Sequence, residues 1–214
     1  MVKNIAVIGA GPGGYVAAIR GAQLGANIYL IESGKQGVGG TCLNRGCIPT
    51  KTYFRNAEIM TTIKNSEEFG ISIDNYSLDG KALQDRKKKV VSQLKGGIEA
   101  LIKSYDNIEF INGKASIKDK NTIMVKCDNG EEREIAVDNI VIATGSEPTM
   151  TETKGVDLEG VITSDDLLDM EEIPETLIVV GAGVIGVEFA SIYNGLGSNV
   201  ILLASRMLKN AAME

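Results

Sequence analysis

The sequence predicts an α/β protein: a parallel sheet carrying a small antiparallel meander, followed by the start of a second unit of the first kind. Three observations predict it. The short apolar runs Ile5–Ile8 and Leu177–Val180 each end in a glycine cluster. Each cluster opens a segment of helical composition, Tyr15 to Leu24 in one case and Val187 to Leu196 in the other. A second apolar run closes each unit, at Asn27–Ile31 and Asn199–Leu203. Short apolar runs bounded by glycine and alternating with helical segments are the pattern of buried parallel strands.

Between the two copies the elements follow in order. Residues 33–40 are a glycine-rich loop, and residues 41 to about 64 continue as a helix that carries two cysteines. Asp79 to Ser104 is a long amphipathic helix, since Leu83, Val90, Val91, Leu94, Ile98, Leu101 and Ile102 approximate a 3.6-residue period. From Ile108 to Ile142 come short alternating runs such as Ile123–Lys126 and Glu134–Val137. Asn112-Gly113 and Asn129-Gly130 read as hairpin turns between them. Asn139–Ala143 is another apolar strand, leading into Thr144-Gly145. Residues 149–176 read as a connection with one short helix near Asp165 to Met170.

Composition narrows the function. Hydrophobic residues make up 43% of the 214, enough for a sizeable core. The formal charge is −6, and the one basic run, Arg86-Lys87-Lys88-Lys89, falls in the long amphipathic segment. That run reads as a solvated helix face, so no nucleic-acid partner is expected. No apolar run approaches the roughly 20 residues of a membrane span, and no secretory signal precedes the first strand. A cytoplasmic protein with no membrane partner is the expectation. There is no histidine, which excludes a His-based zinc site, a Ser-His-Asp triad and a His base within these residues.

The glycine turns carry the first piece of chemistry. In a G-x-G-x-x-G turn the first glycine allows the sharp bend and the second lets a pyrophosphate approach the backbone. The third lets helix and strand pack closely, while the helix N-terminus supplies N–H groups and a positive dipole. Gly9, Gly11 and Gly14, with Gly13 between them, have the whole strand–turn–helix–strand context, and Glu32 follows Gly9 by 23 residues. An acid there accepts hydrogen bonds from a ribose. Gly181, Gly183 and Gly186 repeat the turn, but the residue 23 positions past Gly181 is Ala204. Arg206 lies two residues on, placed either to meet a 2′-phosphate or as an ordinary surface residue.

The second piece is Gly40-Thr41-Cys42-Leu43-Asn44-Arg45-Gly46-Cys47-Ile48-Pro49-Thr50-Lys51. Three readings compete for its cysteines. A zinc site needs four ligands, and Cys127 is the sole remaining thiol, so no metal is expected. A structural disulfide would be unusual in a reducing compartment and would close a very small loop. A redox-active pair accounts for the spacing best. Cys127 reads as a small apolar filler.

This run, following its glycine turn, resembles the pyridine nucleotide–disulfide oxidoreductases. Its wording is nearest to their dihydrolipoamide dehydrogenase branch, with Thr50 where Ser is usual. Ala143-Thr144-Gly145 and Gly181-Ala182-Gly183-Val184-Ile185-Gly186-Val187-Glu188 resemble that family too. The resemblance implies a Rossmann-like FAD-binding domain, residues 1–148, with the redox disulfide. The beginning of a second Rossmann-like domain, for NAD, follows over 149–214. It implies FAD on Gly9, Gly11, Gly13 and Gly14, with Glu32 on the adenosine ribose, and Gly40, Thr41, Lys51, Ala143, Thr144 and Gly145 as further cofactor-binding residues. Cys47 becomes the flavin-proximal thiol and Cys42 the interchange thiol. Lys51 pairs with Glu188 near the flavin. Gly181, Gly183 and Gly186 hold NAD, with NADP not excluded.

The implied reaction oxidises dihydrolipoamide, free or on the lipoyl domain of a 2-oxo acid dehydrogenase or glycine cleavage complex. The implied assembly is a homodimer of the full-length relative. The family's base is a histidine in a C-terminal dimerisation domain. The resemblance therefore predicts a fragment of a longer enzyme, a subunit completed by a second polypeptide, or a non-catalytic FAD-binding module.

Overall fold

The computed structural model describes residues 2–34, 36–150 and 152–204. The chain forms two compact units, one built from residues 1–48 and 91–149, the other from 49–90 and the residues from 150 onward. The elements in chain order are β1 (Asn4–Ile8), α1 (Pro12–Gln23), β2 (Asn27–Glu32), α2 (Gly40–Arg45), α3 (Cys47–Lys64), α4 (Gly80–Lys103), β3 (Ile108–Asp119), β4 (Thr122–Cys127), β5 (Glu132–Ala136) and β6 (Asn139–Ile142). They are followed by α5 (Ser164–Leu167), β7 (Thr176–Val180), α6 (Val184–Leu196) and β8 (Asn199–Leu203). Both α3 and α4 run across the division between the units.

The first unit is a six-stranded sheet in the order β5-β4-β3-β2-β1-β6. The pairs β6–β1, β1–β2 and β2–β3 are parallel, while β3–β4 and β4–β5 form the antiparallel meander. A parallel sheet covered on both faces needs apolar residues at successive positions. Accordingly Val7, Ile28 and Leu30 enter one core, with Ala18, Ala22 and Ile102, whereas Ala6 and Ile31 enter a second, with Ile111, Ile123, Val125 and Ile135. Each fully buried Leu, Ile or Val contributes about 1.5–3 kcal/mol.

The meander corrects one expectation. Asn112-Gly113 is not a turn, because β3 runs straight through it, pairing with β2 up to Asn112 and with β4 from Gly113. Gly113 is needed there for close approach: a Cβ would sit 2.5 Å from the Lys126 carbonyl oxygen. The hairpin turn lies further on, where Asn121 donates through its side chain to the Val137 carbonyl at 2.9 Å. Asn129-Gly130 is a turn as expected, with Gly130 at φ +88°.

The second unit holds β7 and β8, paired in parallel and joined through α6. Its core gathers Tyr53 and Ala57 from α3, Leu83 from α4, Leu167 and Leu168 at α5, and Phe189, Ile192, Tyr193 and Leu196 from α6. Helices α3 and α6 meet closely at small residues: a Cβ on Gly195 would lie 2.9 Å from that of Ala57. The long helix α4 confirms the amphipathic reading at Leu83 and Ile102, each 3% exposed, but Leu94 and Leu101 face solvent. Its basic run is not wholly a solvated face either. Lys87 is buried and ion-paired to Asp169 at 2.6 Å, because its ammonium also reaches the Leu168 carbonyl at the end of α5. Among the described residues no helix is long and apolar enough to cross a membrane.

Candidate functional site

In the first unit the site grows from the C-terminal ends of β1, β2 and β6. The strand order reverses at β1, which has β2 on one side and β6 on the other. That is the switch point at which open α/β sheets leave a ligand crevice. Gly9 leaves β1 at φ +102°, and its N–H donates to the Ile31 carbonyl at 2.8 Å. A Cβ there would collide with the carbonyl of Ala143, so the first glycine lets the Ala143-Thr144 segment close against the turn. Gly14 packs against the Gly9 carbonyl, again with no room for a Cβ. Pro12 occupies the first turn of α1, where its missing N–H costs nothing, so the helix begins earlier than Tyr15.

The glycine-rich loop completes the cradle. Gly39 donates its N–H to the Ala10 carbonyl at 2.9 Å, and a Cβ on Gly40 would come within 2.6 Å of the Gly11 α-carbon. Glu32, at the end of β2, accepts the Ala10 N–H at 2.7 Å on one carboxylate oxygen and the Ser33 N–H at 2.9 Å on the other. The structure thus brings Gly9, Gly11, Gly13, Gly14, Glu32, Gly40, Ala143 and Thr144 to one edge of the sheet. Gly145 follows at φ +74°, exposed, and Thr41 is exposed in the first turn of α2.

These residues fit a dinucleotide. No side chain caps the N-terminus of α1, and its N-cap Gly11 is extended, so backbone is presented where a diphosphate needs N–H groups. Glu32 spends one hydrogen bond per oxygen, and a carboxylate accepts about four, which leaves capacity for ribose hydroxyls.

Cys42 and Cys47 form a disulfide with a Cα–Cα separation of 4.6 Å. Local sequence makes the bond possible. The helical reading of residues 41–64 was one element; the structure breaks it at Gly46, between α2 and α3. A Cβ on Gly46 would lie 2.9 Å from the Thr41 carbonyl oxygen and 3.2 Å from the Cys42 α-carbon, so glycine lets the chain fold back on Cys42. Asn44 fixes the loop from within, donating its side-chain amide to the carbonyls of Val38 at 3.1 Å and Gly40 at 3.0 Å. Sequence reasoning gave Gly46 and Asn44 no role, although their place inside the cysteine spacing was a signal. Cys47 is exposed and is the first residue of the 18-residue helix α3; Cys42 is half-buried. Cys127 is free and half-buried beside the core under the meander.

In the second unit Lys51 on α3 and Glu188 on α6 form an ion pair, with the Lys51 ammonium 5.6 Å from the Phe54 ring centroid. The second glycine turn repeats the first in detail. Gly181 stands at φ +112° and donates to the Leu203 carbonyl at 2.8 Å, as Gly9 does to Ile31. Gly183 is the uncapped N-cap of α6, and Gly186 packs on the Gly181 carbonyl. Ala204 then follows Leu203 as Glu32 follows Ile31, which gives the second turn no acid at that place. Arg206 lies outside the described residues.

A strand–glycine turn–helix unit occurs in each half, and the first shares its compact unit with a short-loop disulfide. The chain belongs to the pyridine nucleotide-disulphide oxidoreductase family, whose pattern matches residues 3–212. It is 42% identical over 202 residues to a dihydrolipoyl dehydrogenase of Bacillus subtilis, covering 94% of this chain and 43% of that protein. It is likewise 42% identical over 205 residues to a dihydrolipoyl dehydrogenase of Acholeplasma laidlawii, covering 94% of this chain and 59% of that protein. Among solved structures it resembles the HOCl-induced flavoprotein disulfide reductase RclA from Escherichia coli in its Cu(II) complex. That match has a TM-score of 0.82 at 31% identity and covers 97% of this chain and 44% of RclA. The chain spans about half the length of these relatives. The family is named for a pyridine nucleotide and a disulphide, and RclA is named a flavoprotein.

Proposed function

We propose that the chain carries out the thiol–disulfide and flavin half of a dihydrolipoamide dehydrogenase reaction. FAD is the resident cofactor, and NAD is the final acceptor, with NADP left open by Ala204. The substrate is dihydrolipoamide, free or on a lipoyl domain of a 2-oxo acid dehydrogenase or glycine cleavage complex, in the cytoplasm. The assembly is that of a homodimeric full-length relative. One observation carries the reading: the Cys42–Cys47 disulfide belongs to the same compact unit as the uncapped glycine turn and Glu32. The names of the relatives support the substrate.

On this reading residues 1–148 bind FAD, and the residues from 149 begin the NAD(P)-binding part. Gly9, Gly11, Gly13 and Gly14 hold the FAD diphosphate, Glu32 holds the adenosine ribose, and Gly40, Thr41, Lys51, Ala143, Thr144 and Gly145 contribute further contacts. Gly181, Gly183 and Gly186 hold the NAD diphosphate. Bound FAD supplies a two-electron acceptor for the reduced cysteine pair. The chain's own part is exchange. A substrate thiolate attacks the Cys42 sulfur, the Cys42–Cys47 bond breaks, and Cys47 leaves as a thiolate at the start of α3. The second substrate thiol then displaces Cys42 from the mixed disulfide. Two electrons have entered the cysteine pair, and the substrate leaves as its disulfide. Lys51 and Glu188 are the remaining proposed catalytic residues; the ammonium supports the negative charge that reduction creates.

The exchange also needs a base for the substrate thiol proton. None of the 214 residues is a histidine, so that base is another residue type here, or it lies in a longer form of the enzyme or in a second polypeptide. A second reading is a non-catalytic FAD-binding module. Titrating the purified chain with FAD and following quenching of flavin fluorescence tests the proposal. Saturable one-to-one binding that is lost in Gly11→Glu is expected. Absence of binding would overturn both readings, and binding with no reduction by dithiothreitol under anaerobic conditions would leave the non-catalytic module.

A further inference from the structure

The ion pair of Lys51 and Glu188 is open to solvent on its lysine side, with the lysine side chain 65% exposed and the glutamate 27%. An exposed pair gains little on its own, because holding two long side chains in one geometry costs entropy that the screened attraction barely offsets. Such a pair persists when the backbones beneath it are already set at the right spacing. The second unit contains a device that sets them. Two residues past Lys51 on α3 is Tyr53, and five past Glu188 on α6 is Tyr193, both fully buried. Their rings stack with centroids 6.4 Å apart and planes at 29°.

Both hydroxyls grip one short stretch of backbone at the end of α5. Tyr193 donates to the Leu167 carbonyl at 2.8 Å, and Tyr53 to the Leu168 carbonyl at 3.3 Å. Helix α4 seals the same stretch, with Gln84 donating to the carbonyls of Leu168 at 2.7 Å and Met170 at 2.9 Å. The Leu167 and Leu168 carbonyls end a helix and are buried, and Leu168 takes Tyr53, Gln84 and Lys87 together, so side chains from two helices hold this stretch in place. Burial raises the pKa of both phenols, Tyr53 to about 12, so both remain donors at any physiological pH.

We infer that Tyr53 and Tyr193 are positioning residues that register α3 against α6, through the 167–170 backbone, so that Lys51 and Glu188 meet. The inference rests on the reading of Lys51 and Glu188 as catalytic residues, but its test does not use flavin. Lys51 acylation by a water-soluble amine reagent is followed by mass spectrometry in the full chain, with Lys118, which pairs with Glu134 in the first unit, as internal control. Glu188→Gln sets the unpaired rate. Tyr53→Phe and Tyr193→Phe keep the rings and remove the hydroxyls.

The expected result is a roughly two- to fivefold faster labelling of Lys51 in Glu188→Gln, the range that breaking an exposed pair allows. Each Tyr→Phe variant moves toward that rate, with Lys118 unchanged. No further increase is expected when either is combined with Glu188→Gln, since the residues act through one pair. Unchanged labelling in both Tyr variants overturns the inference. So does an effect that adds to that of Glu188→Gln, which would mark general loosening, or loss of far-ultraviolet dichroism in both, which would mark a role in the fold alone. A Glu188→Gln chain that labels like the parent removes the pair itself, and the inference with it. Failure of flavin binding, read separately, overturns the proposed function and leaves this result standing.

Discussion

Ala10 donates its backbone N–H to Glu32 at 2.7 Å, tying the glycine turn to the end of the neighbouring strand. The bond is charge-assisted and half-buried, so its loss should be felt without any ligand. Glu32→Ala is expected to lower stability by about 1–2 kcal/mol in urea unfolding of the flavin-free chain. FAD affinity should fall in the same variant, measured by fluorescence titration. An unchanged unfolding midpoint would show that the carboxylate does not hold the turn.

Neighbouring glycines in that turn should respond in opposite directions. A Cβ on Gly13 meets nothing closer than the Ala143 Cβ at 3.9 Å, while one on Gly14 strikes the Gly9 carbonyl. Gly13→Ala should raise flavin-free stability by up to about 1 kcal/mol through helix propensity. Gly14→Ala should lower it by about 1–3 kcal/mol through overpacking. Paired urea curves decide the sign of each.

The second turn lacks the acid of the first. Ala204→Glu restores it in the register that Glu32 occupies, where it can accept the Ala182 N–H and ribose hydroxyls. The variant should favour NADH over NADPH by about tenfold relative to the parent, the equivalent of one charge-assisted hydrogen bond. Nicotinamide fluorescence titrations of both nucleotides give the ratio.

Alkaline pH should weaken the chain through its buried phenols. Burial, and next the charge of Asp169, push the Tyr53 pKa from 10.0 up to about 12. A folded pKa above the unfolded one means a contribution that is complete below pH 10 and lost as pH rises through 12. Urea midpoints should therefore fall over that window, and Tyr53→Phe should flatten the decline. Phenolate absorbance should show Tyr53 and Tyr193 ionising together with unfolding.

Much of this was legible locally. The two glycine turns, their strands and the cysteine pair stand in the sequence because parallel strands and sharp turns impose short-range patterns. Other features were not. Asn112-Gly113 has the composition of a turn, yet Gly113 serves the close approach of β4 within a continuous strand, a need that arises from a partner 14 residues away in the chain. Lys87 looked like part of a solvated charge run because its partners, Leu168 and Asp169, are distant in sequence. The grouping of Tyr53, Ala57 and Leu83 with Phe189 and Tyr193 is likewise long-range, and no local periodicity announces it. Gly46 was readable as a breaker, but that it turns the chain back on Cys42 is a matter of three dimensions.

Electron exchange between the Cys42–Cys47 pair and a flavin is the claim on which the rest depends. The most direct measurement is the visible spectrum of the FAD-loaded chain during anaerobic reduction with dithiothreitol, in the parent and in Cys47→Ser and Cys42→Ser. The account predicts a band at longer wavelength than the flavin's own absorption in the reduced parent, present at rest in Cys42→Ser and absent from Cys47→Ser. A chain that takes up FAD and shows no such band, or a band indifferent to Cys47→Ser, would contradict it.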